Sequence, residues 1–337
     1  MFAAGLGFSN SPNPVRAAQE AAEKAQKALG SHKPNFALLF ATVGYEQQLL
    51  LSSLQDCLSI TEICGCSGEG VIAKDQTEES NFGLSLLLVS SDEVRFAQGF
   101  LPNIHEEAKD AGQRLASAIT DLGWKDTKGL LFFADGVHVN LDSVLQEIGS
   151  QVPDNLPIIG GAAGDNWQIK ETYQYANGEV HTGGLSWVAI GGNVSLDWNL
   201  SHGCQPVGAV KTVTKAKGNE LYEIDGKPVY EVLREYLDIT QVGTWDNPIG
   251  NISFGFEAPA AYAKCDDPYE FLITHVAPTN EHAQRGCVFV PRLVKNGDKI
   301  WIMRRDQERI AEGNERMAKK LRARHVGKEP AFVLHID

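Results

Sequence analysis

No apolar run in this 337-residue chain approaches the ~20 residues that a membrane span requires. The opening stretch, MFAAGLGFSNSPNP, has neither a basic n-region nor a long apolar core, so it does not read as a secretory signal. Positive charge is scarce: 30 Lys and Arg stand against 43 Asp and Glu, a formal net charge of -13. Nucleic acid and anionic membranes are therefore poor partners, because phosphate contacts need cations. The basic cluster at Arg316, Lys319, Lys320, Arg322 and Arg324 suits a helix C-terminus. Cysteine is sparse as well, with six in the chain and no C-x-x-C. That excludes a disulfide framework of the small secreted kind. Cys64 and Cys66 form a C-x-C, short of the four ligands of a zinc site. No H-E-x-x-H or C-x-x-C-H occurs, and GCSG lacks the G-x-S-x-G spacing of a nucleophile elbow. The expectation is a cytoplasmic protein that is not an enzyme and carries no metal.

What is present is an ordered alternation of elements. NPVRAAQEAAEKAQKALG offers Asn13 as N-cap, Pro14 in the first turn, and Val15, Ala18, Ala22, Ala25 and Leu29 on one face. NFALLFATV follows as a continuous apolar run, the mark of a strand buried on both faces. YEQQLLLSSLQDCL reads as a helix, TEICGCSGEG as a short strand opening into glycines, and NFGLSLLLVSS and EVRFAQGFLP as two strands. The same order then recurs. HEEAKDAGQRLASAITDLG is a helix, KGLLFFADG a buried strand, NLDSVLQEIG a helix, and PIIGGAAGDNW a strand ending in glycines. ETYQYANGEV, GGLSWVAIGG and NVSLDWNLSHG read as strands. FALLFA aligns with GLLFFA, GCSGEG with GGAAGD, and GLSLLLVSS with GLSWVAIGG.

The fold expected is α/β. Two homologous α/β halves with mixed sheets and flanking helices occupy residues 14–102 and 106–203, within a first region ending at 224. A smaller α+β portion, 225–337, follows. VGAVKTVTKAKGNELYEIDGKPV, residues 207–229 across that boundary, and GCVFVPRLVKNGDKIWIMRR, within the second portion, read as hairpins. Its last stretch, DQERIAEGNERMAKKLRARHVGKEPAFVLHID, copies the helix-then-buried-strand opening of the first half, as a truncated third repeat-like unit.

These stretches together resemble the FIST sensory domain, with its N-terminal and C-terminal portions. IIGGAAGD and VTKAKGNELYEIDGKP carry the likeness most specifically. The resemblance implies a cytosolic sensory module that binds a small ligand, an amino acid or related metabolite, between the two portions. It also implies an output partner such as a histidine kinase or a cyclic-dinucleotide enzyme. Two alternatives come with it: a b-type haem sensor of nitric oxide, and a protein-recruitment module. It carries over no individual binding residue.

The residues themselves point to the paired glycine-rich strand exits. Asp165 and Asn166 would hold a ligand's amine and amide-like groups, and Trp167 would stack on it or cover it. Ser67 and Glu69 stand at the comparable place in the first half. Backbone N–H groups around Gly65, Gly68, Gly160 and Gly161 would cradle a carboxylate. Cys66 stands where a thiolate could be reactive. His181, His202, His275 and His282 are equal candidates for a haem ligand. One alternative stays open: both exits can be simple turns that join a parallel edge to an antiparallel hairpin.

Overall fold

The computed structural model describes residues 1–104, 108–137, 141–153, 156–166, 168, 170–236, 252–258, 271–275, 282 and 284–336. They form two compact units, Met1–Leu196 with Pro330–Asp337, and Asp197–Glu329. The chain is α/β with mixed sheets.

The first unit runs β1 (Phe2–Ser9), α1 (Pro14–Leu29), β2 (Phe36–Ala41), α2 (Gln47–Leu58), β3 (Ile63–Ser67), β4 (Val71–Ala73), β5 (Gln76–Glu78) and β6 (Leu84–Ser91). It continues with β7 (Val94–Pro102), α3 (Ala108–Asp121), β8 (Thr127–Ala134), α4 (Leu141–Gln151), β9 (Ile158–Ala162), β10 (Gln174–Ala176), β11 (Glu179–His181) and β12 (Gly184–Gly192). One sheet has the order β1-β6-β2-β3-β10-β11, the other β7-β12-β8-β9.

Each local choice has a visible cause. Asn13 accepts from the Arg16 N–H at 3.0 Å, and Pro14 starts α1, as its lack of an N–H permits. Val15 stays exposed; Ala17 and Ala21 complete the buried face instead. Alternate side chains of the strands face opposite ways. In β2, Ala37, Leu39 and Ala41 pack towards α1 and α2, while Phe36, Leu38 and Phe40 meet Leu131, Phe133, Val188 and Ile190 of the second sheet. The far side of that sheet packs Leu130, Phe132 and Trp187 against Leu115, Ile119, Val144 and Ile148 of α3 and α4. The unit is thus layered helix, sheet, sheet, helix.

The two sheets coincide position by position. Leu39 lies opposite Gly65, and Phe132 opposite Gly160. Phe40 lies opposite Ser85, and Phe133 opposite Ser186. β1 lines β6 as β7 lines β12. The strand 94–102 therefore opens the second sheet; the expectation that it closes the first pass is corrected. Its counterpart is β1, whose Gly- and Ala-rich sequence did not suggest a strand. The expected strand at 193–203 is also absent. There Asp197 and Asn199 accept from the next residue's N–H, at 2.9 Å each, and local bonds of this kind compete with a ladder.

The second unit contains β13 (Cys204–Pro206), β14 (Lys211–Lys217), β15 (Glu220–Ile224), β16 (Lys227–Pro228), α5 (Val229–Arg234), β17 (Ile252–Glu257), β18 (Phe271–His275), β19 (Val288–Phe289), β20 (Lys299–Arg305) and α6 (Gln307–Arg324). β14 and β15 make the expected hairpin. β19 pairs with β15 and β20 with β17, so the second expected hairpin does not form. After α6, residues 331–336 form no strand among the described residues. Phe332 stacks on Phe2 with ring centroids 6.4 Å apart, and Leu334 packs against the core between the sheets. The segment is held by alternate side chains and not by a ladder.

Candidate functional site

The two glycine-rich exits meet. The Gly164 N–H donates to the Ser67 carbonyl at 3.0 Å, and the Ser67 hydroxyl donates to the Gly164 carbonyl at 2.7 Å. Each exit also hangs from its neighbouring strand in the same way: the Gly68 N–H donates to Ala41 O at 3.0 Å, and the Ala163 N–H to Ala134 O at 2.7 Å. Gly65 and Gly160 are needed for sheet packing. A Cβ on either would fall on the carbonyl oxygen of the residue opposite, Leu39 or Phe132.

Around this junction lies a buried polar cluster. The Ser67 hydroxyl accepts from the Tyr173 N–H at 3.0 Å. The Thr172 hydroxyl donates to Asp135 Oδ1 at 2.7 Å, and Gln174 Nε2 donates to Thr172 Oγ1 at 3.2 Å. The Val137 N–H donates to Asp135 Oδ1 at 2.9 Å. Asp165 is buried, and its Oδ2 accepts from the N–H groups of Lys170 at 2.6 Å and Glu171 at 3.3 Å. Gln174 is fully buried, and its Oε1 has no donor among the described residues.

Of the residues expected at a site, Ser67, Glu69, Gly160, Gly161, Asp165 and Asn166 do converge here. Each also makes contacts within the protein. Asp165 spends one carboxyl oxygen on its own loop. Asn166, in the left-handed region at φ 58°, donates from Nδ2 to Asn81 Oδ1 at 2.6 Å. Glu69 is exposed and its side chain lies against Gly164. Gly161 touches the Ile336 side chain, 3.0 Å from where its Cβ would be. Trp167 lies outside the described residues. Cys66 is buried among apolar side chains, and burial, with Cys64 beside it, pushes its thiol far above the usual range. The same burial pushes the Cys64 thiol up to about 12.

Asp135, Thr172 and Gln174 were not anticipated. A signal existed for the first: Asp135 follows FFA where Thr42 follows LFA. Both stand just past a buried strand, and both donate their N–H to a glycine at the start of the last strand: Thr42 to Gly83 O, just before β6, at 2.9 Å, and Asp135 to Gly184 O, the first residue of β12, at 2.7 Å.

Residues 35–227 match the FIST N domain. This chain belongs to the FIST family. FIST domains are sensory, signal-transduction domains. Similar proteins include an uncharacterised protein of Methanocaldococcus jannaschii, 28% identical over 247 residues, covering 67% of the FIST chain and 46% of that protein. An uncharacterised protein of Mycobacterium tuberculosis is 25% identical over 235 residues, covering 69% and 59%. The chain spans about half the length of the curated relatives it matches. A solved cyanuric acid hydrolase is similar at a TM-score of 0.35 and 10% identity, over 57% of the FIST chain and 69% of that chain. No helix among the described residues is long and apolar enough to cross a membrane.

The four histidines considered for haem all have protein partners. His181 stacks on Phe100 with centroids 4.0 Å apart and its Nε2 is 3.2 Å from Ala176 O. His202 Nδ1 accepts from the Cys204 N–H at 2.9 Å, and His275 Nδ1 is 3.3 Å from Ser253 Oγ. The His282 ring lies 5.7 Å from that of Phe289.

Proposed function

We propose that this FIST chain is a sensory module whose first unit holds a small ligand with an N–H donor at the paired strand exits. An amino acid or related amine is the favoured class. The single observation that carries this is Gln174 Oε1, which has no donor among the described residues and is set beside Thr172 and Asp135. A buried acceptor left unpaired costs about 1–3 kcal/mol, and a ligand ammonium or amide would recover that cost. An ordered water is the competing occupant. The reciprocal bonds between Ser67 and Gly164 support a means of signalling: a ligand that pulls on one exit strains the other. Such a ligand shifts the exits only by its differential affinity for their two arrangements. The output would pass to a partner such as a histidine kinase or a cyclic-dinucleotide enzyme.

The module is read as non-catalytic. In support, the Cys66 thiol is buried and held protonated, and the Ser67 hydroxyl is committed to Gly164 and Tyr173. A haem reading draws no such support, since each candidate histidine is already engaged.

A thermal-shift screen with amino acids and small amines tests the proposal. A ligand at a hundred times its Kd should stabilise the chain by about 2.7 kcal/mol. Gln174→Met should weaken that ligand at least about tenfold, the cost of one lost bond to a charged donor. Stabilisation by no member of the panel, or equal stabilisation of the variant, would overturn it in favour of water.

A further inference from the structure

β10 and β11 form a hairpin whose strands pair Gln174 with His181, Tyr175 with Val180 and Ala176 with Glu179. This hairpin leaves its own half and adds to the free edge of β3, with Gln174 opposite Cys66 and Tyr175 opposite Gly65. The Ser67 N–H completes the ladder by donating to Tyr173 O at 2.8 Å. As a result every residue of β3 is buried.

β4 and β5 form a hairpin of the same build. Val71 pairs with Glu78, Ile72 with Thr77 and Ala73 with Gln76. Its turn carries Lys74 at φ 59°, as the other carries Asn177 at φ 54°. It stands at the same place, between the third strand and the last strand of its half. Yet among the described residues it joins no larger sheet. Val71 and Ala73 pack on Phe8 of their own half, and Ile72 points away. Ile72 is 49% exposed where Tyr175, at the matching position, is 0% exposed.

β9 has the complementary vacancy. It matches β3 in register against its neighbour, and among the described residues it has no second partner strand. Its residues are half-buried or exposed throughout. The Ala163 N–H is donated to β8, so by the alternation of a ladder the Ala162 N–H points to the open side. Ala162 is the counterpart of Ser67, whose N–H is taken by β10's segment.

Among the described residues there is thus one hairpin outside any larger sheet, one edge without a second strand, and a working example of how such a pair joins. We infer that the β4–β5 hairpin of one copy adds to β9 of a second copy, head to tail, with Ile72 opposite Gly160 as Tyr175 is opposite Gly65. This is strand addition to a sheet edge: backbone bonds supply affinity, and the alternate side chain supplies specificity. The junction is heterologous, since hairpin and edge are different surfaces, so both remain available at the ends of an open dimer.

Light scattering on the purified chain across a concentration series tests the inference. Association should rise with concentration. Ile72→Lys and Ala162→Pro should each raise the dissociation constant at least about tenfold, with circular dichroism and melting unchanged in dilute solution. A mixture of the two variants should form dimers and nothing larger, because one intact hairpin meets one intact edge. A monomer at all concentrations would overturn the inference. Association that neither variant weakens, or a mixture that stays monomeric, would overturn it too.

Discussion

β3 and β9 run into glycine-rich exits at matching positions, yet the first strand is fully buried and the second only half-buried or exposed. Gly65 and Gly160 meet the same obstacle on the strand beside them. Ile63 and Ile158 occupy the same register position, but Ile63 is fully buried and Ile158 only half-buried. The difference comes from elsewhere in the chain: β10–β11 covers β3, and nothing among the described residues pairs with the outer side of β9. Local sequence sets how a strand exits. A distant hairpin decides whether the strand itself is covered.

The largest expected effect separates the two hairpins. Tyr175 is fully buried and its hydroxyl donates to Gln47 Oε1 at 2.6 Å. Tyr175→Ala should cost about 3–5 kcal/mol in urea unfolding, the range for emptying a large aromatic site. Ile72→Ala, in dilute solution, should stay within about 0.5 kcal/mol. Equal losses would mean that β4–β5 is as buried as its counterpart.

The glycines come next. Gly65→Ala should cost about 3 kcal/mol, since β3 is clamped between β2 and β10 and cannot retreat. Gly160→Ala should cost about 1–2 kcal/mol, because an edge strand can shift to make room. Chemical denaturation of the two variants side by side would reveal a reversed order if β9 were clamped as well.

Ser67→Ala should lose about 1–2 kcal/mol, by stripping the Gly164 carbonyl and the Tyr173 N–H of a partner. The mirror change, Ala162→Ser, should be near neutral at an exposed position. The smallest effect is chemical. Native Cys66 should resist thiol reagents at pH 8 until global unfolding, because burial keeps the thiol protonated as well as covered. Among the described cysteines Cys57, only partly covered, should label first. Mass spectrometry of the labelled peptides would expose early reaction at Cys66.

Much of this architecture was legible in the sequence. The helix at 14–29 announced itself through Asn13, Pro14 and its alanine face, and the buried strands β2 and β8 through unbroken apolar runs. The parallel between FALLFA and GLLFFA carried the matching register. β1 escaped notice because α1 packs so closely on it that a Cβ at Gly5 would strike the Ala25 carbonyl. Small residues there satisfy a neighbour and erase the usual strand signature. The crossing of β10 to β3 left no trace, since strand partners are chosen by tertiary packing. For the same reason the site was only half legible. Ser67, Asp165 and Asn166 belonged to visible turns, whereas Thr172 and Gln174 gain their meaning only from the strand they join.

Amide hydrogen exchange on a dilute, monomeric sample tests the contrast between the two strands most directly. Amides of residues 63–67 should exchange only through global unfolding, and those of 158–162 on the outer side of β9 should exchange orders of magnitude faster. Equal protection of both segments at dilution would contradict the account, for it would show β9 already covered within a single chain.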